Sequence, residues 1–147
     1  MALTIAERFK YNLYLWYFGL TQVRLIHYCR PKIVDITEEK VVLMMSLDRR
    51  TRNHVRSMYI GAMVVGVEMV TGFTAMVKIR ESKQKVIPIF KDLTANFLKR
   101  AEGDVYFICR EGKAITDEVE KTITTGERGK ITAQVTATAP TKFGRTT

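Results

Sequence analysis

One acidic residue, Glu68, stands in the middle of an apolar run covering residues 57–80. A carboxylate in such surroundings is either half of an ion pair or a group held for chemistry. Burial raises its pKa and makes it a competent general base near neutral pH, provided water or substrate reaches it. Other reactive side chains are sparse. His27 and His54 are the only histidines, and neither has metal-ligand spacing with Cys29 or Cys109. The two cysteines lie far apart and read as buried thiols of a reducing compartment. Neither a Gly-x-Ser-x-Gly elbow nor a P-loop is present. The second constellation is basic: Arg49, Arg50, Arg52, His54 and Arg56 fall within residues 48–56, directly ahead of the apolar run. It reads either as a solvated loop or as a phosphate-binding rim aided by the following helix N-terminus.

The element that must position Glu68 is a helix apolar around nearly its whole circumference, which predicts burial on all sides. Between Met58 and Val77 the run nears the length that spans a bilayer. Three features favour the interior of a water-soluble domain. A lone central carboxylate is costly in lipid. Gly61, Gly66 and Gly72 admit close approach by a backbone or ligand. The chain beyond it reads as strands and turns, which can cover such a helix.

Ahead of this helix, residues 2–28 are rich in aromatics, with Thr4 as a cap and Glu7 in the first turn. A break at residues 19–21 and a second short helix ending before Pro31 are expected. The aromatics of this arm read as core. A membrane-surface anchor and a lid over a hydrophobic site are the alternatives. Residues 32–36 and 40–47 predict two strands around a Thr37-Glu38-Glu39 turn. Beyond the helix, residues 86–98 predict a long strand in which Pro88 marks an edge or bulge. A strand over 104–110 follows, then a short helix capped by Thr116, then an alternating strand from Ile131 to Ala139.

With 147 residues, 46% hydrophobic and 27% charged, the chain has the length and composition of one globular domain. The expected division is an N-terminal helical arm over 1–30, a core over 31–139 and a loose tail over 140–147. Helices and strands segregated in this order predict an α+β fold, an antiparallel sheet curled around one helix. A net charge of +9 asks for an anionic partner. No secretory signal is visible, so a cytoplasmic home without a transmembrane segment is expected.

Asn53, then Tyr59-Ile60-Gly61, then Glu68 resembles the hotdog-fold acyl-CoA thioesterases of the PaaI-like group. That group shows an Asn, a His-Gly-Gly at the start of the central helix, and an Asp or Glu within it. The segment from Phe90 to Asp104 is similar to the strand, turn and Gly-Asp that follow the helix in hotdog proteins. The aromatic arm and residues 125–128 resemble an uncharacterised thioesterase-like branch. The resemblance implies a sheet wrapped around the helix, paired chains (dimer or tetramer), and active sites at the dimer interface.

It also implies roles. Glu68 matches the carboxylate that activates water or attacks the thioester carbonyl. The backbone N–H of Ile60 matches the oxyanion donor, beside Gly61, and Asn53 matches a polar residue near the reacting group. Tyr59 stands where the group has His, and Ile60 where it has the first Gly. The implied substrate is an acyl-CoA, with coenzyme A entering as part of it and no separate cofactor or metal. Arg49, Arg50, Arg52, His54, Lys99 and Arg100 are candidate contacts for the CoA phosphates. Met63 and Met69 are expected to line the acyl channel. The rivals are a non-catalytic binder of acyl-CoA or fatty acid and, third, a basic nucleic-acid-binding domain. The last lacks a reading motif, and its basic residues are dispersed.

Overall fold

The computed structural model describes residues 3–140. Helix α1 (Ile5–Thr21) starts where Thr4 and Glu7 close a capping box: Thr4 Oγ1 accepts from the Glu7 N–H and Glu7 Oε2 accepts from the Thr4 N–H. The Thr4 N–H and the Thr4 hydroxyl, both donating to Glu7 Oε2, hold that carboxyl below the usual carboxylate range. Helix α2 (Arg24–Cys29) folds back on α1 because Gly19 lets the backbone of His27 approach; a Cβ there would sit 2.8 Å from the His27 nitrogen. Arg30 ends α2 in the left-handed conformation, φ 54°, and Pro31 prevents its continuation.

Strands β1 (Lys32–Ile36) and β2 (Val41–Met45) form the expected hairpin, closed where the Thr37 N–H donates to the Lys40 carbonyl at 2.7 Å. Strand β3 (Val105–Cys109) pairs with β2, Val41 opposite Cys109 and Met45 opposite Val105. Strand β4 (Val135–Thr138) pairs with β3. All pairings are antiparallel and the order is β1-β2-β3-β4. Alternation of two puts Ile33, Val41, Leu43, Met45, Val105, Phe107 and Cys109 on one buried face. The long helix α3 (Ile60–Ser82) lies against it, with Gly66 under the Phe107 ring. Tyr11 and Tyr14 of α1 pack on Phe73 of α3, with ring centroids 5.8 and 6.0 Å apart. Helix α4 (Gly112–Thr125) covers α3 further along and is tied to it by a 2.7 Å Lys78–Glu120 ion pair. Both cysteines are buried free thiols whose pKa burial pushes up.

Several expectations need correction. The aromatics of the N-terminal arm are only partly core, since Phe9, Trp16, Tyr17 and Tyr28 are exposed. Residues 84–104 contain neither helix nor hydrogen-bonded strand. Their alternation is real, but a strand is defined by a partner; Pro88 lacks a donor, and Ile87, Ile89 and Leu98 remain exposed. The last strand is confined to its C-terminal part, Val135–Thr138. Helix α4 begins at Gly112 after Glu111, leaving Thr116 inside it. Gly112 docks on the β1–β2 turn, its N–H donating to the Glu39 carbonyl at 3.1 Å, and this contact sets the start. Finally, α3 is not buried all round: Ala62, Val65, Met69, Val70 and Phe73 are enclosed, whereas Val64, Val67 and Glu68 are half-buried. The expected loose tail lies, apart from Pro140, outside the described residues.

Candidate functional site

The loop ahead of α3 is held by short polar contacts. Thr51, fully buried, donates through Oγ1 to the Ser46 carbonyl at 2.7 Å, and its own carbonyl accepts from the Tyr59 N–H at 2.7 Å. Asn53 Oδ1 accepts from the N–H groups of Val55 and Ser57, each at 3.0 Å. That carbonyl oxygen therefore shapes the loop. Arg100 reaches across from residues 84–104, its Nε donating to Ser57 Oγ at 3.1 Å and its guanidinium to the Val55 carbonyl. The Met58 N–H donates to the Ala101 carbonyl at 2.8 Å. The loop and the 99–101 segment are thus one structure.

This locking delivers Tyr59 as the N-cap of α3, with φ −65° and ψ 140°. Ile60 is the first helical residue, half exposed, where an α-helix leaves N–H groups without intrahelical partners. The Tyr59 ring folds back over Gly61: a Cβ on Gly61 would meet Tyr59 Cε1 at 2.5 Å. Arg49, Arg50, Arg52, His54 and Arg56 are exposed around this helix start. Arg50 pairs with Asp48 at 3.6 Å, and Arg100 with Glu102 at 3.5 Å. Lys99 is exposed on the adjoining segment. The structure therefore brings the two basic groups together at the N-terminal end of α3. It also shows that Arg100 is engaged in holding the loop.

Glu68 belongs to a second place, eight residues further along α3. It lines a cleft of about 340 Å³ with Val64 and with Phe90, Lys91, Asp92 and Leu93. Phe90 lies beside Gly72, where a Cβ would stand 3.4 Å from its ring. Partial burial raises the Glu68 pKa above the ordinary carboxylate value. Among the described residues no cation forms an ion pair with it. Met63 and Met69 do not line this cleft: Met69 is enclosed in the core and Met63 packs against it. Sequence reasoning missed the lining by residues 90–93, because charges interrupting an apolar run read as the solvent side of a strand. The available signal was Gly72, one helical turn past Glu68, which admits a large side chain. Among the described residues no group of three His, Cys, Asp or Glu side chains converges as a metal site. A larger cavity lies elsewhere, between α1 and α2.

An antiparallel sheet curled over one long helix, with an N-terminal helical arm, is the hotdog fold, and solved structures similar to this chain bear that out. The chain belongs to the family described as a domain of unknown function, DUF4442, whose profile matches residues 25–146. A protein of unknown function from Chlorobaculum tepidum superposes with a TM-score of 0.72 at 12% identity, over 88% of this chain and 80% of that one. A Pseudomonas aeruginosa protein described as a probable thioesterase gives 0.68 at 18% identity, over 86% and 83%. Zebra fish thioesterase superfamily member 2 gives 0.52 at 14% identity, over 70% and 73%. At such identities the likeness is one of fold. No curated protein matches the chain.

Proposed function

We propose that this protein is a cytoplasmic acyl-CoA thioesterase of the PaaI-like kind, working as a homodimer whose single hotdog domain shares its active site with a second copy. The observation that carries this reading is the Glu68 carboxylate, without an ion-pair partner among the described residues, in the wall of a cleft that it shares with the apolar side chains of Val64, Phe90 and Leu93 and with Lys91 and Asp92. Glu68 takes a proton from water as its oxygen adds to the thioester carbonyl carbon. The carbon–sulfur bond then breaks, and the thiolate leaves and is protonated. The products are a carboxylic acid and CoA. The negative charge that develops on the carbonyl oxygen needs a donor, and the Ile60 N–H at the positive end of α3 supplies it.

One chain cannot bring these two groups together. Ile60 and Glu68 are eight residues apart on one straight helix, about 12 Å along its axis. Both must touch the same carbonyl group, so Glu68 of one chain works with the helix start of another. Arg49, Arg50, Arg52, His54 and Lys99 surround that helix start and suit the CoA phosphates; Asn53 holds the loop that carries them.

The test is a hydrolysis screen over short, long and aromatic acyl-CoAs, run on the parent and on Glu68→Gln. Gln keeps the volume and a hydrogen-bonding group but accepts no proton. Turnover should fall at least ~10²-fold, as for a positioned base, with acyl-CoA affinity little changed. Equal turnover in the two proteins removes Glu68 from the reaction. Binding without turnover in the parent leaves a carrier of acyl-CoA in place of an enzyme.

A further inference from the structure

Helix α1 has two apolar faces, and only one of them is used. Tyr11, Tyr14, Leu15 and Phe18 pack inward. Ile5, Phe9, Leu13, Trp16, Tyr17 and Leu20 are exposed, Ile5 by 89% and Phe9 by 69%. With about 100° between successive residues, those six fall within about 120° of the helix circumference. Leu25 and Tyr28 of α2 are exposed as well. So many large apolar groups on one short element exceed the scattered surface residues of ordinary proteins.

The charge around this stripe has one sign. Arg8 and Lys10 flank it on α1, and Arg24, Arg30 and Lys32 follow in α2 and at the start of β1. Glu7 is the sole acidic residue ahead of Asp35, and its carboxylate is engaged in the Thr4 cap. None of Arg8, Arg24, Arg30 and Lys32 forms an ion pair among the described residues. Beside the stripe, Ile5, Phe9 and Trp16 also wall a cavity of about 570 Å³ that Arg8, Arg30 and Lys32 line as well. A second copy of the chain docking face to face would bring its own cations against these.

We propose that α1 and α2 form a docking surface for an anionic lipid bilayer, with the α1 stripe lying among the acyl chains and the cations against the headgroups. Aromatic and aliphatic side chains on one face, bordered by Lys and Arg, are what an interfacial helix requires. Each flanking cation adds attraction to a negatively charged leaflet, and salt screens that part. The cavity is of a size and polarity to admit the end of one lipid chain with its phosphate near Arg8, Arg30 and Lys32. Docking goes beyond hydrolysis and does not depend on it.

Trp16 is the only tryptophan, so its emission reports on the stripe directly. The full chain is mixed at low salt with phosphatidylcholine vesicles, with or without phosphatidylglycerol, and bound protein is read by flotation. The chain should float with the anionic vesicles, shift Trp16 emission to the blue, and partition at least about tenfold more weakly onto phosphatidylcholine alone. The double variant Phe9→Glu, Leu13→Glu keeps Trp16 and alters exposed positions only. It should lower partitioning at least about tenfold with melting temperature unchanged. A chain that stays unbound, binds both vesicles equally, or keeps its Trp16 emission overturns the proposal. A double variant that changes the sedimenting mass while the parent ignores vesicles also overturns it, and marks the stripe as a contact between copies.

Discussion

The proton affinity of Glu68 follows from how much water it loses at the cleft wall, since desolvation is the cause of its raised pKa. The sign for stability follows. Between the ordinary carboxylate pKa and the raised one, the folded chain holds more protons than the unfolded chain, so Glu68 makes stability fall as pH rises through that window. Gln does not titrate. Urea unfolding of parent and Glu68→Gln should therefore show a difference that moves in favour of the variant from acidic to neutral pH. A buried ion pair would do the reverse, with a loss of about 3 kcal/mol or more in the Gln variant. Hydrolysis needs the carboxylate ionised, so its rate should climb with pH through the raised pKa, above the usual carboxylate range. Glu68 was legible in the sequence because a single charge in an apolar run has few explanations. Lys91 and Asp92 were not, because their place at the cleft depends on how residues 84–104 cross α3.

Elements were legible where their signals are local. The Thr4–Glu7 cap, the Thr37–Lys40 hairpin and the Pro31 boundary each involve residues a few positions apart. They were illegible where a distant partner decides, as in the start of α4 on the β1–β2 turn. Asn12 is another such case: its side chain both accepts from the Ile33 N–H at 2.8 Å and donates to the Ile33 carbonyl at 3.0 Å, stitching α1 to β1. The seat of α3 on the sheet is set by Gly66, where a Cβ would lie 2.4 Å from the fully buried Phe107 ring. Gly66→Ala gains up to ~1 kcal/mol of helix propensity but must displace an enclosed ring, at a cost of about 1–3 kcal/mol. The ring should win, giving net destabilisation in urea unfolding. At Gly72 the nearest ring atom of Phe90 is at 3.4 Å, so Gly72→Ala should be neutral or stabilising by up to ~1 kcal/mol. Equal effects at the two sites would contradict the close seat of Gly66.

At the scale of the whole molecule, two exposed apolar regions ask for different cover. The α1 stripe is bordered by cations and suits a lipid surface. Residues 86–98 instead expose Ile87, Ile89, Phe90, Leu93, Phe97 and Leu98, of which Phe90 and Leu93 line the Glu68 cleft; a second copy would both cover them and bring up its helix start. A mixing experiment tests whether the site is shared. Ile60→Pro removes the proposed oxyanion donor, and Pro is well tolerated at the first helical position, after a residue as extended as Tyr59. Ile60→Pro and Glu68→Gln should each be inactive alone. If Glu68 of one chain works with the Ile60 N–H of the other, a mixed dimer of the two variants holds one intact site and one doubly broken site. Random reassortment of equal amounts should then restore roughly a quarter of parental hydrolysis. Were both groups to act within one chain, every site in the mixture would carry one defect and no activity would return. Subunit exchange is read separately by labelling the two variants, so that absence of recovery in a fully exchanged mixture tells against the shared site.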